Sequence, residues 1–412
     1  MPIHRLSAPL LALFLCLRAL AQEAESGITL PFTITGEGLY THRLQSADAN
    51  ASPVTGAFHA AFYPGLKLGA HWFVYSSIHV SSTPFYYYDS YAPDHQIETH
   101  VVQAFLGYTQ NYGATSVVVK AGKLASAFGA FPLHYDDADN PLLDQPLPYA
   151  AYLNLRPDQL PCGVADVLGQ KYASSANYGC GGSWGAGEGL TPVTLYGLPG
   201  VELDLSTHKI DARVQLTNSS PVNPQSLFSG SQHAQWTAGA GYSLVQGFRV
   251  GFSAYRGPFL DHGVAGFLPV GRTVRDFPAT GAGLDAQWAR GRWSTTGEWQ
   301  WFRFDYPNFL HPPATSFGYA EVKAVLNPRT YLAVRAGYQR NSRVEDNSTW
   351  SDESFAPNMQ SYEFAVGFRP NRWQLVKVGY ECLRGEEISG TRDNVFGIQL
   401  VTSIQALSKA IH

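Results

Sequence analysis

Along most of this chain apolar and polar residues alternate one by one, the period expected of a β-strand with an apolar medium on one face and water on the other. Near the start, Ile28, Leu30, Phe32 and Ile34 alternate with Thr29, Thr33 and Thr35. Phe58, Ala60 and Phe62 lead to Pro64-Gly65, which reads as a turn. The return run then sets Leu66, Leu68, Trp72, Val74, Ile78 and Val80 opposite Lys67, His71, Tyr75 and His79. After runs at 102–108 and 117–121 the alternation stops at Gly122 and resumes only near Thr191. Beyond that it is cleaner, with Ile210, Ala212, Val214 and Leu216 opposite Lys209, Asp211, Arg213 and Gln215. Further paired runs turn at Gln246-Gly247, Arg290-Gly291, Asn327-Pro328 and Pro370-Asn371, and the last run carries Phe396, Ile398, Leu400, Thr402 and Ile404.

With one run allowed at 191–206, the pattern predicts sixteen strands. Seven short turns, near 64, 112, 207, 246, 291, 328 and 371, alternate with eight longer loops. The loops lie near 41–55, 82–97, 124–190, 219–234, 257–280, 305–316, 341–358 and 383–393. Short turns on one rim and long loops on the other is the layout of an outer-membrane barrel. The expected fold is therefore all-β: a transmembrane antiparallel up-and-down barrel of about sixteen strands, with a long, inward-folded third loop.

Charge follows the same division. The central parts of the apolar faces hold no Lys, Arg, Asp or Glu. The opposite faces carry Lys67, Lys120, Arg213, Arg249, Asp285, Glu298, Glu321, Lys323, Arg335, Glu363, Lys377 and Glu381. A charge facing mid-bilayer lipid costs about 2–4 kcal/mol, so its exclusion from one face is what a lipid-facing wall requires. A soluble β-sandwich would alternate in the same way. Strand length, turn–loop asymmetry and an export signal favour the barrel. Aromatic pairs at strand ends (Tyr242 with Phe248, Trp288 with Trp293, Tyr338 with Tyr362) suit interfacial girdles.

Composition narrows the classes further. Charged residues are 15%, against roughly a quarter in soluble proteins, and aromatics reach 13%. The net charge of −4 and the lack of a basic run exclude a nucleic-acid partner. Residues 1–21 read as a secretory signal, with Arg5, an apolar stretch from Leu10 to Leu17 and a small-x-small site at Ala19-Leu20-Ala21. Its removal takes away Arg5 and Arg18 and no acid, which moves the net charge from −4 to −6. No later stretch reaches 18 consecutive apolar residues, so residues 22–412 would cross a membrane only as one barrel domain. In the oxidising compartment this signal implies, Cys162 and Cys180 are expected to form a disulfide, while Cys382 reads as a small apolar side chain.

The chemistry gathers in the interruption. Residues 122–146 hold Asp136, Asp137, Asp139 and Asp144 beside His134. Carboxylates on an inward loop facing basic wall residues, here Lys67, Lys120, Arg213, Arg249, Arg335 and Lys377, would set a transverse field across a narrow wet passage. The Asp136–Asn140 cluster is weak as a Ca²⁺ loop, lacking the EF-hand glycine and distant glutamate. Tyr86-Tyr87-Tyr88 could stack on sugar rings or pack locally. No nucleophile elbow, Walker glycine loop or zinc motif is present, so neither an enzyme, a resident metal nor a cofactor is expected.

In layout, with sixteen runs and a third loop far longer than the rest, the chain resembles the sixteen-stranded outer-membrane porins. The Gly122-Lys123 and Phe128-Gly129 junction is similar to the strand-to-loop junction of several porin-like families. The resemblance implies a constriction formed by the third loop and passive diffusion of small hydrophilic solutes across the outer membrane. It also implies contact with outer-membrane lipid and assembly as a homotrimer. The alternatives are a barrel that binds or exports one ligand, a sugar or a lipid, and a plugged structural or enzymatic barrel.

Overall fold

The alternating runs become strands, and the strands close into a single cylinder. The structure, a computed structural model, describes residues 26–41, 53–82, 97–130, 136–151, 153–171, 177–182, 189–194, 197–385, 392–405 and 408–411. Residues 1–21, read from the sequence as an export signal, His134 and Tyr86–Tyr88 lie outside the described residues.

The wall consists of β1 (Ser26–Thr29, continued by Phe32–Thr41), β2 (Val54–Phe62, continued by Gly65–Leu68), β3 (Trp72–Ser82), β4 (Ile97–Tyr112) and β5 (Thr115–Leu124). After the third loop come β6 (Leu198–Ser206), β7 (Ile210–Thr217), β8 (Gln235–Val245), β9 (Phe248–Pro258), β10 (Pro278–Arg290) and β11 (Trp293–Phe304). The circle is completed by β12 (Ala314–Asn327), β13 (Thr330–Asn341), β14 (Met359–Phe368), β15 (Gln374–Gly385) and β16 (Arg392–Ile404, continued by Ser408–Ile411). Each pairs antiparallel with its neighbours in sequence. Closure is made by β16 against β1, from Phe32 opposite Ile404 to Thr41 opposite Val395. A closed sheet leaves no unpaired edge, the condition for strands to cross lipid.

Two boundaries differ from the expected ones. Pro64 does not reverse the chain. Lacking an N–H, it breaks the ladder of β2, its carbonyl accepts from Ser76 N at 3.0 Å, and the strand runs on to Leu68. The reversal comes at Gly69, which supplies φ = 71° between Leu68 and its partner Trp72. The third loop also runs longer, since β6 begins at Leu198, opposite Leu124, rather than near Thr191. Gly122 is fixed at the loop's start by its φ of 142° and by a Cβ position only 2.4 Å from the Ala104 carbonyl oxygen.

Polarity across the wall is inverted relative to a soluble domain. Outward Val214, Phe252 and Leu284 are each more than half exposed, while inward Gln215, Gln300, Arg335, Lys377 and Gln399 are buried. The interior is not uniformly polar, however. On the long-loop side, inward Tyr255 (β9), Phe302 and Phe304 (β11) and Phe317 (β12) pack with Phe128, Leu153 and Leu155 of the third loop in one apolar core. The Phe128 ring lies 5.2 Å from Tyr255 and 5.4 Å from Phe302. Such ring pairs contribute about 0.5–1.5 kcal/mol beyond area burial. In this half the inner wall is apolar and packed against loop side chains, where the sequence leads one to expect charged groups facing a wet passage.

Candidate functional site: the third loop and the inner wall

Besides the apolar core, the third loop, residues 125–197, makes polar contacts with the inner wall. At its start Ala127 N donates to Gln215 Oε1 of β7 at 2.8 Å, and Gly129 N donates to Ser253 Oγ of β9 at 3.1 Å. Its acidic segment meets the opposite wall, β13 through β16 and on to β1–β3. Asp136 accepts from Thr33 Oγ1 at 2.9 Å and from the Tyr63 hydroxyl at 2.6 Å. Burial raises its carboxyl above the usual range, and the Tyr63 hydroxyl opposes that rise. Asp137 accepts from Thr35 Oγ1 at 2.6 Å and lies 2.9 Å from His59 Nδ1. A hydrogen-bonded chain continues from His59 Nε2 to His79 Nδ1 at 3.0 Å, and from His79 Nε2 to Ser77 Oγ at 2.9 Å.

Two cations complete this attachment. Lys377 Nζ donates to the carbonyls of Asp137, Asn140 and Leu142 at 3.0, 3.2 and 2.8 Å. Arg335 donates to the Asp144 carbonyl at 3.0 Å and to Asn140 Oδ1 at 3.1 Å, while pairing with Glu321 at 2.8 Å and Glu363 at 2.9 Å. Both side chains are closed to solvent, with relative exposures of 0% for Lys377 and 2% for Arg335. They terminate backbone carbonyls of the loop, so here these charges act as fasteners. Breaking a buried pair of this kind costs about 3–5 kcal/mol.

Across the lumen the loop leaves wall charges in contact with open space. Lys120 of β5 bridges Glu202 and Asp204 of β6, each at 2.6 Å. Arg249 of β9 bridges Asp211 of β7 at 2.6 Å and Asp285 of β10 at 2.5 Å. Arg213 sits half-buried opposite Asp204. Lys67, on β2 of the other side, is exposed at the short-turn rim. A cavity of about 400 Å³ is lined by Arg249, Gln287, Thr296, Glu321 and Lys323 from the wall and by Asp139 from the loop. A second, of about 380 Å³, is lined by Thr33, Tyr63, Tyr75, Asp136 and again Asp139.

The sequence candidates therefore separate. Asp137, Asp144, Arg335 and Lys377 are buried in the attachment, and Asp136 is half-buried beside it. Asp139 is exposed and shared by both cavities, Arg249 lines one of them, and Lys120 and Arg213 are half-buried on the same stretch of wall. Sequence reasoning put Lys323 and His79 on the polar face without naming them as constriction residues, and did not single out the partners Thr33, Thr35, Tyr63 and His59. Their inward parity was readable, but their contact with the loop was not. Among the described residues no group of three or more His, Cys, Asp or Glu is placed to hold a metal ion, Asp136–Asn140 included.

Above the apolar core the outer part of the third loop is held by neighbouring loops. Cys162 and Cys180 form the expected disulfide, with Cα atoms 4.9 Å apart. Its two cysteines bracket helix α1 (Val164–Gly169), whose first amide donates to Asp346 Oδ2 of the 342–358 loop at 2.9 Å. Backbone amides from Val164 and Ser348 hold the Asp346 carboxyl at about 2, below its ordinary value. Lys171 pairs with Glu353 of the same loop at 2.8 Å.

No protein-family model and no curated protein sequence matches the chain. Solved structures do. The anion-selective porin from Comamonas acidovorans is similar at a TM-score of 0.55 and 8% identity, over 92% of this chain and 100% of that one. The outer membrane channel DcaP of Acinetobacter baumannii matches at 0.53 and 10% identity, over 93% and 99%. A loop L8 deletion mutant of OmpT, an outer membrane protein of Vibrio cholerae, matches at 0.53 and 11% identity, over 92% and 100%. Identities this low speak for architecture alone, and on that ground the chain has the closed sixteen-stranded barrel fold of the outer-membrane porins.

Proposed function

We propose that this protein is an outer-membrane channel for passive diffusion of small hydrophilic solutes. Residues 1–21 would direct its export, and the long-loop rim would face the outside. The observation that carries this reading is Asp139, an exposed loop carboxylate standing between two interior cavities and sharing one of them with Lys323 and Arg249. A carboxylate opposite cations in a narrow aqueous passage filters ions by charge while the passage itself filters by size. Lys120 and Arg213 extend the basic side of the filter, and Asp136 extends the acidic side. A homotrimer is the assembly we favour, since one structure of the similar Vibrio cholerae protein is described as a trimer form.

Planar-bilayer recording tests the proposal. Steady ohmic steps are expected from the purified barrel, and Asp139→Asn should move the reversal potential toward anion preference. An unchanged reversal potential would remove Asp139 from the passage. Complete absence of current would favour the plugged barrel, a reading to which the apolar core under the long loops lends weight.

A further inference from the structure

The outer surface of the wall carries a groove that the channel does not use. It lies at the long-loop ends of β12–β15, encloses about 1060 Å³, and is lined on its outward side by Tyr338, Arg340, Gln360, Tyr362 and Arg384. Register fixes the arrangement. Tyr338 on β13 lies opposite Gln360 on β14, which lies opposite Arg384 on β15. Arg340 follows one pleat beyond Tyr338. With strands about 4.8 Å apart and a rise of about 3.4 Å per residue, the two arginine Cα atoms flank the groove about 12 Å apart.

The cations are available. The guanidinium of Arg340 lies 5.9 Å from the ring centre of Tyr338, and that of Arg384 lies 5.8 Å from Tyr362. Among the described residues neither forms an ion pair and no acidic side chain lines the groove. Arg303, on the same rim, is by contrast closed by Asp305 at 2.7 Å. Below the groove the outward face turns apolar, with Val334, Phe364 and Tyr380 exposed. The tyrosines thus mark the level where acyl chains give way to headgroups, and the arginines stand at that level or just beyond it. Two guanidiniums over aromatic rings, unpaired among the described residues, with the Gln360 amide held between them by the Tyr362 hydroxyl at 3.1 Å, match phosphate oxygens attached to a polar body. A second copy of this chain paired two-fold on this face would present the same positive charge and be repelled.

The geometry points to a binding site for the phosphorylated headgroup of an outer-leaflet lipid, with Arg340 and Arg384 taking phosphate oxygens and Tyr338 and Tyr362 carrying the guanidiniums. This site rests on the membrane orientation proposed above but not on conduction.

The test mixes the purified mature barrel in detergent with a synthetic diphosphorylated disaccharide lipid or its dephosphorylated form. Lipid retained per barrel is then counted by native mass spectrometry. Wild type should retain the diphosphorylated lipid about tenfold better, the scale of one lost charge-assisted contact or more. Arg340→Gln/Arg384→Gln should lose that preference, and Arg290→Gln, an outward arginine at the opposite rim, should keep it. If the double variant does not fold, as judged by circular dichroism, the two single variants are each expected to lose part of the preference. Equal preference in wild type and variants overturns the site. So does displacement of the lipid by millimolar inorganic phosphate, which would mark a free-anion site. A conducting barrel with no lipid preference defeats this inference and leaves the channel standing. A barrel that holds the lipid but passes no current does the reverse.

Discussion

Two sides of the same inner wall use similar charges for opposite ends. On the side formed by β13 through β16 and on to β3, the third loop lies against the wall, and Arg335 and Lys377 are spent on its carbonyls and on Glu321 and Glu363. On the side from β5 to β10, Lys120 and Arg249 make ion pairs of comparable length that remain partly open to the lumen. Residue type and inward parity are the same on both sides. What differs is whether a loop covers the charge, and that decides between a fastener and a filter.

The contrast can be broken most strongly at its buried end. Arg335→Leu leaves Glu363 and Glu321 without their cation, and should cost about 3–5 kcal/mol. It should show as a lowered thermal unfolding temperature in detergent together with noisier, larger current steps. A variant as stable and as quiet as wild type would mean that the loop is held elsewhere. Next comes the outer staple. Replacing Cys162 and Cys180 with serine removes a cross-link worth about 3 kcal/mol of chain entropy for a loop of this size. Trypsin cleavage at Lys171 should speed up while β-sheet content is unchanged. Resistance equal to wild type would leave the disulfide without a part in holding the cap.

At the open side the effect moves from stability to selectivity. Lys323→Gln should shift the reversal potential toward cations, opposite in sign to Asp139→Asn, with unfolding temperature nearly constant. Shifts of the same sign would show that the two do not face a common passage. The smallest effect belongs to pH. Asp346 has its carboxyl lowered to about 2 in the folded protein by the Val164 and Ser348 amides, so its contribution is present above the ordinary carboxylate range and fades as pH falls toward 2. Asp346→Asn should flatten the acid limb of loop protection measured by hydrogen exchange at Val164. An acid limb identical to wild type would place the proton elsewhere.

Much of the wall was legible because period two assigns a face to every residue. The outward run Ile210–Leu216 and the inward Arg213, Arg335 and Lys377 lie where alternation put them. The Cys162–Cys180 pair followed from the compartment. The turn at Gly69 was missed because Pro64-Gly65 is the stronger local turn signal, and a proline on a strand can interrupt pairing without reversing the chain. The core around Phe302 and Phe304 was missed for a different reason. Alternation shows that a side chain points inward, but not its height in the barrel or whether a loop fills the space in front of it. The same gap hid the difference between Asp137, bonded to Thr35 and His59, and Asp139, two residues on and exposed.

That difference supplies the most direct test. In a Cys382→Ala background, with the 162–180 disulfide intact, Asp139→Cys and Lys377→Cys would be exposed in turn to a charged, membrane-impermeant thiol reagent during bilayer recording. The account predicts rapid partial block of current for Asp139→Cys and no change for Lys377→Cys. Equal block at both positions, or block at Lys377→Cys alone, would contradict the division of the lumen into a covered side and an open one.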